Sequence, residues 1–69
     1  MARSVGAEAV LGAVRNGHGT PQEILTALDL DSTDTDLRRR RLHNIRNALD
    51  HLKKAAQVDL DAGRWSVRR

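Results

Sequence analysis

The chain has no cysteine, no phenylalanine and no tyrosine, and only one proline (Pro21) and one tryptophan (Trp65). Without thiols, neither a disulfide nor a thiolate metal site can support the fold. With a single aromatic residue, the core must be built from aliphatic side chains. No apolar run approaches the ~18 residues of a membrane-spanning helix. The opening residues carry one early arginine, Arg3, and a short apolar run, without the length or cleavage pattern of a secretory signal. These absences lead to the expectation of a cytoplasmic protein. The 69 residues suit one domain, 1–69. A chain of this size buries only about 60% of the surface its unfolded form exposes, and one such core supplies roughly 3–5 kcal/mol.

Charge is present but unevenly placed. Residues 1–37 carry Arg3 and Arg15 against Glu8, Glu23, Asp29, Asp31, Asp34 and Asp36, which is 2 against 6, or −4. Residues 38–69 carry 10 Lys or Arg against Asp50, Asp59 and Asp61, or +7, within an overall +3. A small domain polarised in this way presents one face to a polyanion. A solvated surface balanced for solubility is the bland alternative, and the clustering favours nucleic acid over it.

The spacing of Ala7, Val10, Leu11 and Val14 predicts a helix over about 5–16 with one apolar stripe. Gly17-His18-Gly19 breaks it, with Gly17 placed as a C-cap. His18 has no partner nearby in sequence and reads as a solvated turn residue rather than a base or metal ligand. Thr20-Pro21-Gln22-Glu23 is the clearest helix start in the chain. Threonine is the N-cap, proline takes the first helical position, and Glu23 reaches back to the Thr20 amide to complete a capping box. Ile24, Leu25 and Leu28 then give the apolar face of a short helix over about 21–29.

Asp29 to Asp36 form an acidic connection, DLDSTDTD. A calcium loop of EF-hand type needs a glycine at its sharp turn and a terminal glutamate, and both are missing. These carboxylates suit the positive end of the next helix, with Thr33, Asp34 or Thr35 as its N-cap. That third helix is expected to run unbroken over about 35–56, because Leu42, Ile45, Leu49, Leu52 and Ala56 recur at helical spacing. At 100° per residue, Arg39, Arg40, His43, Asn47, Asp50 and Lys54 fall on the opposite side. Asn44 and His51 lie on one flank of that side and Arg46 on the other. Beyond it, Val58 and Leu60 alternate with aspartates, and Trp65 and Val67 with Ser66. Gly63 stands where a tight turn needs it, so a β-hairpin over about 57–68 is expected.

Three helices followed by a hairpin is the order of a winged helix. The run from Ile45 through Leu49, Leu52 and Ala56 to Val58 resembles the end of a recognition helix leading into a wing strand. Gly63-Arg64-Trp65-Ser66-Val67 resembles the returning strand, and Thr20 to Leu28 the bracing second helix. On these residues nearly the whole chain resembles the winged helix-turn-helix superfamily of small bacterial and phage DNA-binding proteins. The resemblance implies a mainly α fold with a small hairpin, a third helix that enters the major groove, and a wing that touches backbone or minor groove. It implies that the reading residues lie on the outer face of the third helix.

Those residue types suit duplex DNA. Arginine bridges the two acceptors of guanine or grips phosphate, and asparagine pairs bidentately with adenine. The expected DNA-binding set is Arg38, Arg39, Arg40, Arg41, His43, Asn44, Arg46, Asn47, Lys54 and Arg64. By helical phase Arg39 and Arg40 project outward, whereas Arg38 and Arg41 point nearer the second helix, where either phosphates or the aspartates of residues 29–36 could receive them. Arginine at a helix N-terminus opposes the dipole by ~0.3–1 kcal/mol, so four there for stability alone is a poor choice. Asp59 and Asp61 argue against a wing lying flush on phosphates, leaving Arg64 at the tip and Arg68-Arg69 as its basic contacts. Trp65 reads as a core cover rather than a base-stacking residue.

The functional expectation is a small transcriptional regulator, or an excisionase-like or architectural factor, acting on double-stranded DNA at the nucleoid. The alternative is a winged-helix adaptor that binds another protein. No catalytic triad, phosphate-cradling glycine loop or metal-ligand spacing occurs, so neither catalysis nor a cofactor is expected. A homodimer would use the first helix.

Overall fold

The structure is a computed structural model and describes residues 6–68. Three helices, α1 (Ala7–Arg15), α2 (Pro21–Ala27) and α3 (Thr35–Lys54), precede two antiparallel strands, β1 (Val58–Asp61) and β2 (Arg64–Val67). This is a mainly helical domain with the order of a helix-turn-helix followed by a wing. The expected start of α1 near residue 5 and the basic end at Arg69 lie outside the described residues. Among the described residues no helix is long and apolar enough to cross a membrane.

The core is wholly aliphatic. Val10, Ala13 and Val14 of α1, Ile24 and Leu25 of α2, Ile45, Ala48, Leu49 and Leu52 of α3, and Val58 of β1 form one buried cluster. Among the described residues no polar or charged residue is buried with them. Trp65 and Val67 pack on its edge as partial covers. At 1.5 Å per residue the 20 residues of α3 extend about 30 Å, nearly the molecule's longest dimension of 35 Å. α1, α2 and β1 pack along this one rod, and β2 packs on β1 and α1.

Each helix ends in the same hydrogen-bonded device. A residue just past the helix turns left-handed, and its own amide and the next one bond back across the last turn. In α1 the left-handed residue is Gly17 (φ 96°), and the His18 and Gly17 amides donate to Ala13 and Val14 carbonyls. In α2 it is Asp29 (φ 56°), with Leu30 donating to Leu25 and Asp29 to Thr26. In α3 it is Ala56 (φ 60°), with Gln57 donating to Leu52 and Ala56 to Lys53. Two expectations change accordingly. The second helix stops at Ala27 rather than 29, and the third at Lys54 rather than 56. Ala56 is an exposed cap residue, not the last member of the apolar stripe. Ala48, absent from the expected stripe, is buried instead.

The helix starts follow their side chains. The Thr20 hydroxyl oxygen accepts from the Glu23 amide at 3.2 Å. The Asp34 carboxylate accepts from the Asp36 and Leu37 amides at 3.0 and 3.2 Å, which makes Asp34 the N-cap of α3. The acidic connection therefore uses one aspartate as a cap, and a second, Asp31, takes the Ser32 amide at 2.9 Å.

In the hairpin Val58 faces Val67 and Leu60 faces Trp65, so the four apolar residues share one face, while Asp59, Asp61, Arg64 and Ser66 share the other. Leu60 overhangs the core and stays 45% exposed. Ala62 (φ 50°) and Gly63 (φ 82°) make the two-residue turn, both left-handed as a type I′ turn demands. Gly19, unlike Gly17, serves a close contact rather than a left-handed turn. Its carbonyl accepts from the Trp65 amide at 2.7 Å, and a Cβ there would stand 3.0 Å from the Trp65 carbonyl oxygen. The α1–α2 loop is thus clipped edge-on to β2, and a Cβ on Gly19 would require Arg64 or the Trp65 carbonyl to give way.

Candidate nucleic-acid interface

The four consecutive arginines of α3 divide into two pairs because successive helical residues turn through 100°. Arg38 and Arg41 face the body of the protein. Arg38 donates from Nη2 to Gln22 Oε1 at 2.6 Å, and its Nε lies 3.2 Å from Asp31 Oδ1. Arg41 donates from Nη1 to the Leu30 carbonyl at 2.6 Å. These two tie α3 to the first turn of α2 and to the chain just past its end. They set the geometry of the α2–α3 turn.

Arg39 and Arg40 point the other way. With Arg46 they are exposed and make no ion pair or side-chain hydrogen bond among the described residues. His43 and Asn47 lie exposed between them, and Asn44 is half-buried on the flank. A shallow groove of about 410 Å³ runs beside this face, lined by Gln22, Thr35, Arg38, Arg39, Leu42, His43 and Arg46. The outer face of α3 therefore offers three uncompensated guanidiniums, one imidazole and two carboxamides along about two turns of helix.

The remaining expected residues are placed differently. Lys54 lies at the far end of α3, 3.2 Å from Asp50 one turn earlier, with both groups open to solvent. Arg64 stands beside the hairpin turn in sequence, but its guanidinium folds back onto the α1–α2 loop. Nη1 is 3.0 Å from Glu23 Oε2, and Nη2 donates to Glu23 Oε1 at 3.3 Å and to the Gly17 carbonyl at 3.2 Å. It is not a free basic tip. Arg68 sits 3.8 Å from Asp59.

Glu23 is the partner that the sequence did not reveal. Its amide is capped by Thr20, while its carboxylate holds Arg64 and accepts from the Thr20 hydroxyl at 3.1 Å. The anticipated return bond to the Thr20 amide is replaced by these contacts. Arg64 first, then the Thr20 hydroxyl, hold the Glu23 carboxyl below its ordinary value of 4.5. Gln22 was likewise unmarked, because its bond to Arg38 spans 16 residues and the Glu23–Arg64 pair spans 41. Contacts of that separation leave no periodic trace.

No protein-family model matches the chain, and no curated protein or solved structure matches it. The case for a function rests on the site alone.

Proposed function

We propose that this protein binds double-stranded DNA through the outer face of α3 and belongs among the small winged helix-turn-helix DNA-binding proteins. On this reading it serves in the cytoplasm, at the nucleoid of a bacterium or an infecting phage, as a transcriptional regulator or an excisionase-like architectural factor. The observation that carries the reading is the division of the arginine run. Arg38 and Arg41 are matched inside the fold, whereas Arg39, Arg40 and Arg46 are left without partners on one side of the helix. Three guanidiniums on one helix face without carboxylate partners repel one another, and those near the helix start also oppose its dipole. A row of phosphates reverses both costs.

Shape and chemistry support the same partner. A helix of about 10–12 Å diameter fits a major groove about 12 Å wide. Arg39 and Arg40 are placed for guanine or phosphate, and Asn47 and Asn44 for adenine. Arg38, Arg41 and Arg64 contribute less, since each must first leave an internal partner.

Three free arginines predict a modest, salt-sensitive affinity. Each neutralised phosphate contributes about −0.9 to the slope of log K against log salt, so random-sequence duplex should give a slope of about −3. Fluorescence anisotropy over a range of salt concentrations tests this. Substituting Arg39 and Arg40 together by alanine should flatten the slope by about 2 with the fold retained. Failure to bind random duplex even at low ionic strength refutes the proposal. It would favour the protein-adaptor alternative, for which the acidic hairpin with Asp59 and Asp61 is the supporting observation.

A further inference from the structure

We propose that Glu23 decides whether the hairpin takes part in DNA binding: its carboxylate holds the Arg64 guanidinium on the α1–α2 loop, and a phosphate must take that guanidinium away before the hairpin can make an ionic contact. The inference rests on the DNA-binding reading above and concerns the regulation of that same surface.

The hairpin has little else to offer a polyanion. Its outer face carries Asp59 and Asp61. Its other cation among the described residues, Arg68, stands by Asp59. Arg64 is the one guanidinium near the turn, and it is held three ways. Glu23 accepts from both of its terminal nitrogens, at 3.0 and 3.3 Å, and the Gly17 carbonyl accepts at 3.2 Å. A two-pronged grip on arginine is directional as well as ionic. The base of the Arg64 side chain is also fixed, because the next residue, Trp65, is bonded through its amide to Gly19. Gly19 lies so close that a Cβ on it would meet Arg64 Nη2 at 3.0 Å. The side chain is nonetheless 57% exposed and its carboxylate partner 38%. Solvent, and hence a phosphate, reaches the pair, so the grip is one that a stronger anion can break.

The carboxylate and the phosphate compete for one guanidinium. With Glu23 ionised, Arg64 adds no contact and DNA is held by α3 alone. With the charge on Glu23 removed, Arg64 is released to swing to the hairpin turn and neutralise one further phosphate.

The test is a salt-resolved anisotropy titration of one duplex with four proteins: wild type, Glu23→Gln, Arg64→Ala and the double variant. Glutamine keeps the size of glutamate and suits the third position of a capping box, so α2 is retained. Glu23→Gln should tighten binding about two- to five-fold, the worth of an exposed ion pair. It should also steepen the salt slope by about 0.9, one more phosphate contact. Arg64→Ala should bind as wild type does, and the double variant should match Arg64→Ala. A gain from Glu23→Gln that persists in the double variant would mean only a general change of charge, and it overturns the proposal. Four superimposable curves overturn it as well, while leaving DNA binding by α3 intact. Absence of binding by all four proteins, wild type included, sinks the DNA reading and this inference with it.

Discussion

Ala56 and Ala62 hold left-handed backbone, at φ 60° and φ 50°, where an L side chain with a Cβ is strained. That conformation costs an ordinary residue about 1–2 kcal/mol, and replacing alanine by glycine gives back about 0.4–1 kcal/mol through the freer unfolded chain. Ala56→Gly should therefore stabilise the protein by about 0.5–1 kcal/mol. Ala62→Asn, which creates the preferred Asn-Gly turn, should do so by a similar amount. Urea midpoints of the two variants measure this. Gly19 predicts the opposite sign: Gly19→Ala sets a methyl group against the Trp65 carbonyl and should lower the midpoint. Glu23 adds a pH dependence. Its carboxyl titrates below the ordinary 4.5 because Arg64 and Thr20 favour the ionised form, so its contribution is complete above that ordinary value and is lost as pH falls through the lowered one. Wild type should melt above Glu23→Gln at pH 7, and the difference should close in acid as the carboxyl takes up its proton.

Among the elements, α3 is the rod against which α1, α2 and β1 pack, and its Leu49 is fully buried in the core. Leu49→Ala leaves a cavity worth ~2–5 kcal/mol against a stability of roughly 3–5 kcal/mol. The variant should show no cooperative melt by circular dichroism. Arg40→Ala and Asn47→Ala, on the exposed side, should melt as wild type does while weakening DNA binding. The element order and most of the core were legible because apolar residues recur at periods of 3.6 and 2. Both helix starts with side-chain caps carry their signals in Thr20, Pro21 and Asp34. The ends of α2 and α3 were less legible, since the left-handed caps at Asp29 and Ala56 lack the glycine that marks Gly17. The outward Arg39 and Arg40 and the inward Arg38 and Arg41 followed from helical phase alone. The inward turn of Arg64 did not, because it is decided by Glu23 and Gly17, residues brought near only by the fold.

For the molecule as a whole, the acidic first half and the basic second half become a helix face of free arginines beside a loop in which Asp34 caps α3 and Asp31 pairs with Arg38. If α3 meets DNA through its outer face, rather than through the hairpin or α1, amide chemical-shift mapping by NMR during titration with a duplex should place the largest perturbations at Arg39, Arg40, His43, Asn44, Arg46 and Asn47. β1 and the exposed side of α1 should stay nearly silent. Perturbations centred on the hairpin or α1, with Arg39 through Asn47 unmoved, would contradict the proposal.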